Sequence, residues 1–116
     1  MDKKKFEEID NYLNAADKNL ARKELIAVSK THPHDPDYLY LRAKLLKFDQ
    51  NIYMAIDALI ISLQIHQTEK SFNLLSELFS IIGNQEFADK LKNRDIQSDT
   101  LTKLIKFTPG IIWKKK

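Results

Sequence analysis

The residues best suited to chemistry lie together in one short stretch, 32–37, with the sequence His-Pro-His-Asp-Pro-Asp. Two imidazoles and two carboxylates within six residues are ligand types that zinc and iron sites use. The two prolines also make this stretch a turn, and Asp35 can cap a helix that begins at Pro36. Because capping already occupies Asp35, we favour the turn and expect neither a metal nor any other cofactor.

Other catalytic arrangements lack their components. The chain contains no cysteine, so it has neither a thiol nucleophile nor a disulfide. Its serines are scattered without a G-x-S-x-G motif, and its two glycines, Gly83 and Gly110, cannot form a phosphate-binding loop. The abundant carboxylates are typical of solvated helix faces. We therefore expect no enzyme activity and no small-molecule substrate.

The composition indicates one small helical domain. Of its 116 residues, 43% are hydrophobic and 30% are charged, which is typical of a folded globular protein. Two glycines and three prolines are too few for a many-stranded sheet. The longest apolar stretch, 52–65, contains Asp57 and is too short to cross a bilayer. Since cysteine and a secretory signal are both lacking, we expect a cytoplasmic protein.

Helical patterns alternate with short breaks along the chain. They predict helices at about 3–15, 18–31, 37–48, 52–66, 69–82 and 85–93, and a seventh at about 99–107. Thr68 can cap the fifth helix, and Gly83 can follow its end in the left-handed conformation. The fourth helix is apolar on more than one side, so we expect it to be buried on most sides.

An internal period organises these helices. Ala21, Ala55 and Ala88 are separated by 34 and 33 residues, and each follows a short polar break. This spacing describes a helix–turn–helix unit of about 34 residues. Small residues at these positions let two helices approach closely, while large apolar neighbours fill the space beside them. A simple bundle of three or four helices is the alternative fold.

Over about residues 2–93 the pattern resembles the tetratricopeptide repeat (TPR) family. The third unit, which starts at Glu69, fits the family's large and small positions best, with Phe72, Leu75, Ser76, Phe79 and Ala88. The second unit departs at Arg42, where the family prefers a large apolar residue. The opening helix of the first unit departs at Lys5, Glu8 and Ile9.

The resemblance implies an all-α fold in which antiparallel helical hairpins stack as a short right-handed solenoid. We expect a single domain at 1–107, with units at about 2–35, 36–68 and 69–96 and a capping helix at 99–107.

The resemblance also implies a non-enzymatic module, an adaptor or small chaperone, that binds another protein. Members of the family hold a partner's helix or extended segment on a concave face formed by the first helices of their units. The corresponding residues here mix aromatic and charged side chains, and those expected to form the groove are Phe6, Asp10, Tyr40, Lys44, Lys47, Phe48, Lys70, Asn73 and Glu77. Alternatively, the aromatic residues pack against one another. A second copy of the chain, giving a homodimer, is a further possible partner.

One class of partner is disfavoured. Family members that bind chaperone tails grip a terminal carboxylate with Lys, Asn and Arg side chains. Of the corresponding residues in this chain only Lys70 matches, the full set being Phe6, Asp10, Leu41, Lys70 and Leu74. Because Asp10 would repel the anion, we expect no binding of an acidic chaperone C-terminus.

Positive charge is concentrated near the C-terminal end. Residues 1–89 carry 11 Lys and Arg against 14 Asp and Glu, a net −3, whereas residues 90–116 carry 8 against 2, a net +6. The alternative function is therefore a peripheral binder of an anionic membrane or nucleic acid. It would act through a tail at 108–116 and two lysines that precede the tail. The basic residues concerned are Lys103, Lys106, Lys114, Lys115 and Lys116. Otherwise the tail is solubilising, or its apolar part packs on the domain. Lysine outnumbers arginine sixteen to three, a bias that fits the AT-rich genome of a bacterium.

Overall fold

The computed structural model describes residues 1–93, which form six α-helices and no strand. The helices are α1 (Lys3–Asn14), α2 (Lys18–Ser29), α3 (Pro36–Phe48), α4 (Ile52–Ile65), α5 (Glu69–Ile81) and α6 (Gln85–Lys92). The predicted all-α class and these six helices are confirmed. The predicted capping helix at 99–107 and the tail at 108–116 lie outside the described residues. None of the six helices is long and apolar enough to cross a membrane.

Side-chain caps begin most of these helices. The Asp35 carboxylate accepts a hydrogen bond of 2.8 Å from the Asp37 amide, and Pro36 occupies the first helical position of α3. The Thr68 hydroxyl accepts one of 3.3 Å from the Ser71 amide at the start of α5. Both predicted caps are therefore confirmed.

The turns that close the three hairpins have the same backbone geometry. The residue after each helix cap has a positive φ, which is 59° at Ala16, 66° at Gln50 and 88° at Gly83. The next amide in each turn donates to a carbonyl five residues earlier, which is the Schellman arrangement. These bonds are Asp17 to Tyr12 (2.8 Å), Asn51 to Leu46 (2.9 Å) and Asn84 to Phe79 (2.9 Å). The predicted left-handed position at Gly83 is confirmed.

The first helices of the hairpins run parallel and are joined by side-chain contacts. The ring of Phe6 on α1 contacts that of Tyr40 on α3, and Asp10 on α1 pairs with Lys44 on α3. Asp37 and Lys47 on α3 pair with α5 in the same order along both helices. The paired residues are 30 to 34 positions apart in each ion pair, so the sequence period becomes a spatial register.

Two hydrophobic cores meet at α3. The N-terminal core comprises residues from α1, α2 and α3, namely Ile9, Leu13, Ala21, Leu25, Val28, Tyr38, Leu39, Leu41 and Leu45. The C-terminal core takes Ala43 from α3 and is otherwise built from α4, α5 and α6. Because α3 supplies both cores, it is the element that holds the two halves together. The three alanines of the sequence period, Ala21, Ala55 and Ala88, are all buried, as close helix packing requires.

Helix α4 is less buried than its composition predicts. Met54, Ile61 and Ile65 are 48%, 43% and 49% exposed. Within the described chain, α4 packs mainly against α3 and α5. Those neighbours cover the side that carries Ile56 and Leu59, and no helix among residues 1–93 covers the opposite stripe. The expectation that α4 is buried on most sides is therefore wrong for this stripe.

Candidate binding groove

A groove of about 700 Å³ runs along α3 and α5. Seven of the nine residues expected to form it line this groove, namely Tyr40, Lys44, Lys47, Phe48, Lys70, Asn73 and Glu77. The helical period explains their common placement, because residues three or four apart on a helix share one face and α3 and α5 lie side by side.

Phe6 and Asp10 do not line the groove but contact two residues that do. The rings of Phe6 and Tyr40 stack with their centroids 6.1 Å apart and their planes at 29°. The Asp10 carboxylate lies 2.5 Å from the Lys44 ammonium. Both residues therefore position lining side chains from α1. The structure thus brings all nine predicted residues to one surface, with seven in the lining and two supporting it.

Each lysine of the groove is paired with a carboxylate on a neighbouring helix. Lys44 donates to Asp10 and, over 3.0 Å, to the side-chain oxygen of Asn14 on α1. On the other side of α3, Lys47 pairs with Glu77 of α5. The third pair appears at the start of α5, where the Lys70 ammonium lies 3.3 Å from a carboxylate oxygen of Asp37. Each of the three lysine charges is consequently matched by one carboxylate, of which Glu77 lies in the lining and the other two lie outside it.

Lys70 connects all three first helices. Its ammonium lies 3.8 Å from the centroid of the Phe6 ring and 5.0 Å from that of Tyr40, distances at which a cation is attracted to an aromatic face. Together with the pair to Asp37, these contacts tie α5 to α1 across the beginning of α3. The groove is therefore bounded at this end by an ordered cluster of Phe6, Tyr40 and Lys70.

Tyr40 presents a neutral phenol at physiological pH. Burial of its side chain, followed by the nearby negative charges of Asp10 and Glu77, raises the pKa of Tyr40 to about 12. Its hydroxyl makes no hydrogen bond to a protein group among residues 1–93. The phenol can therefore both donate and accept a hydrogen bond with a group that enters the groove.

Three residues of the lining lie outside the nine expected to form the groove, namely Asn14, Gln50 and Leu74. Asn14 and Gln50 lie at or beside the turns after α1 and α3. Gln50 could not be placed in the groove from the sequence because its backbone is left-handed, and a glutamine, unlike a glycine, does not indicate a positive φ. Leu74 is almost buried and forms part of the floor.

The histidine- and aspartate-containing stretch at 32–37 forms a turn and a helix cap. Asp35 pairs with the ammonium group of Met1 while it caps α3. Burial alone would raise the pKa of Asp35, but the hydrogen bonds from this ammonium and from the Asp37 amide outweigh it and lower the pKa. Within residues 1–93 no group of three or more His, Asp or Glu side chains is arranged to hold a metal ion.

The alternative function expected from the sequence depends on basic residues near the C-terminal end. These residues, Lys103, Lys106, Lys114, Lys115 and Lys116, all lie outside the described residues. The groove on α3 and α5 is therefore the candidate site that the fold positions.

Comparison with known proteins identifies no relative of this chain. A scan of protein-family models and searches of curated proteins and of solved structures find no match for the chain. The functional argument consequently rests on the residues and contacts of the groove.

Proposed function

We propose that the chain is a non-enzymatic protein-interaction module, an adaptor or small chaperone, that holds a segment of a partner protein in the groove along α3 and α5. The observation that carries this proposal is the exposed aromatic side chain of Phe48, 39% accessible, on a concave surface with Tyr40 and Leu74. Aromatic side chains in concave, partly desolvated sites are the residues that most often dominate binding energy at protein interfaces.

The proposed architecture is a three-unit, right-handed TPR-like solenoid. Its support is the repetition of one geometry: three hairpins, three Schellman turns, and first helices that are parallel and joined by contacts one sequence period apart. In such a stack the first helices form a continuous inner surface. The groove lies on that surface, which is why a partner segment rather than a reacting molecule is the proposed occupant.

The experiment that tests the function places a photo-crosslinking amino acid at position 73, inside the groove, and separately at position 61, on the exposed stripe of α4. Crosslinked material from cells that express the protein is identified by mass spectrometry. We expect a defined protein to be captured from position 73 and not from position 61, because only the former lines the groove.

A substitution then links capture to the aromatic anchor. Phe48→Ala should abolish capture, whereas Met54→Ala removes a side chain of similar exposure from α4 and should leave capture unchanged. Equal capture by the wild type and by Phe48→Ala would show that the groove is not the binding surface.

A further inference from the structure

We infer that the groove accepts an extended, uncharged peptide segment with one large apolar side chain, and that it discriminates against helical and acidic segments. This inference rests on the proposed function and narrows it to a class of ligand.

The charge of the groove supports an uncharged ligand. Lys44, Lys47 and Lys70 each pair with a carboxylate of the protein, so no lysine of the lining offers an unbalanced positive charge. Lys70 is in addition held against two aromatic rings. An acidic side chain would compete with Asp10, Glu77 or Asp37 for these ammonium groups, and a basic one would compete with the lysines for the carboxylates. Neither an acidic nor a basic side chain would therefore be attracted to the groove by a net electrostatic potential.

The apolar surface of the groove supports a single anchoring side chain. Phe48 is the exposed aromatic residue of the lining, and the nearly buried Leu74 lines the same groove. Tyr40 adds a neutral hydroxyl, while its ring is held between Phe6 and the ammonium groups of the groove. One aliphatic or aromatic side chain of a ligand can cover this surface and exclude water from it.

The side-chain amides of the groove support an extended backbone. Those of Asn73 and Gln50 make no hydrogen bond to a protein group within the described chain, and the amide nitrogen of Asn14 is similarly unengaged. Each amide can donate and accept, which suits the free N–H and C=O groups of an extended segment. A helix satisfies its own backbone and has nothing to offer them. A helix 10–12 Å across would also fill a groove of about 700 Å³ with only one to two turns.

The test selects ligands without assuming their identity. A displayed library of random short linear peptides is panned on the whole protein, and binders are kept if Phe48→Ala weakens them at least about tenfold while Ile61→Ala does not. We expect the retained peptides to be uncharged around one large apolar residue. Raising the salt concentration from about 0.05 M to about 0.5 M should change their Kd less than about twofold.

A second comparison separates extended from helical binding. Each retained peptide is synthesised in a linear form and in a form whose helix is fixed by a hydrocarbon staple on its non-contacting side. We expect the staple to weaken binding at least about tenfold, because a helix withdraws the backbone groups from the amides. Tighter binding of the stapled form, or acidic retained peptides, overturns this inference and leaves the proposed function standing. The absence of any Phe48-dependent binder also overturns this inference, whereas the proposed function is decided separately by crosslinking at position 73.

Discussion

Two non-glycine residues occupy left-handed turn positions. At the scale of single residues, this backbone conformation predicts how substitutions there change the free energy of unfolding. Ala16 and Gln50 have positive φ at the positions where the third turn has Gly83. A side chain with a Cβ costs about 1–2 kcal/mol in this conformation, while glycine loses about 0.5–1 kcal/mol more backbone entropy on folding. We therefore expect Ala16→Gly to raise the free energy of unfolding by about 0.5–1 kcal/mol, measured by urea denaturation.

The reciprocal substitution serves as the control for this prediction. Gly83→Ala introduces a Cβ at the equivalent turn and should lower the free energy of unfolding by about 1 kcal/mol. If both substitutions destabilise the protein, the turns are not governed by the left-handed backbone and the explanation fails.

The carboxylate of Asp35 makes a second prediction at the same scale, concerning pH. Its pKa is lowered from 3.8 in the folded protein, so ionised Asp35 stabilises the fold above that pH, and the contribution is lost as the pH falls through the folded pKa. Asparagine caps helices as well as aspartate does but carries no charge. We expect Asp35→Asn to unfold at lower urea than the wild type near pH 7, with the two converging towards pH 2.

The capping carboxylate of α2 provides a comparison for the pH effect. Asp17 accepts a hydrogen bond from the Leu20 amide, and within the described residues it has no ammonium partner. Asp17→Asn should therefore change the pH dependence of unfolding less than Asp35→Asn does. A loss at Asp35 that is the same at every pH would assign the effect to capping geometry rather than to charge.

Close helix packing makes a prediction at the scale of the elements. Ala55 is fully buried in the C-terminal core, at the position of the sequence period where only a small side chain lets α4 approach its neighbours. We expect Ala55→Leu to lower the free energy of unfolding by about 1–3 kcal/mol because it overpacks this contact. Met54→Leu, on the exposed stripe of the same helix, should leave stability within about 0.5 kcal/mol of the wild type. Equal effects of the two changes would contradict the packing argument.

The elements themselves were predictable because their signals are local. Asp35, Pro36 and Thr68 mark helix starts within one turn of chain, and Gly83 marks a helix end. The exposure of Ile61 was not predictable in this way. The hydrophobicity of α4 indicates how much of its surface could be buried. How much of that surface is actually buried depends on the number of helices packed against it.

At the scale of the whole molecule, the period of about 34 residues predicts which residues share a surface but not which of them touch. It brings Tyr40 and Asn73 to one groove because the first helices are parallel and in register. Phe6 supports the groove instead of lining it because the Lys70 ammonium covers its ring. The direction in which a lysine side chain extends depends on its rotamer, and the rotamer depends on tertiary packing that cannot be read from the sequence. The nine expected residues therefore lie together in the fold, seven of them in the lining of the groove and two in contact with that lining.

The division of the core at α3 leads to the last prediction. Leu13 is fully buried in the N-terminal core and Leu75 in the C-terminal core, and α3 is the helix that joins these cores. Replacing either leucine with alanine should cost about 2–5 kcal/mol. In a stack whose units contact only their neighbours, such a loss acts first on its own half.

We accordingly expect Leu13→Ala to accelerate amide hydrogen exchange in α1 and α2 while α5 keeps most of its protection, and Leu75→Ala to produce the opposite pattern. The amides of α3 should lose protection in both variants, because its buried residues belong to both cores. Native-state hydrogen exchange read by mass spectrometry resolves the individual helices. Uniform acceleration across all six helices in both variants would mean that the two cores unfold as one cooperative unit, and α3 would then have no special coupling role.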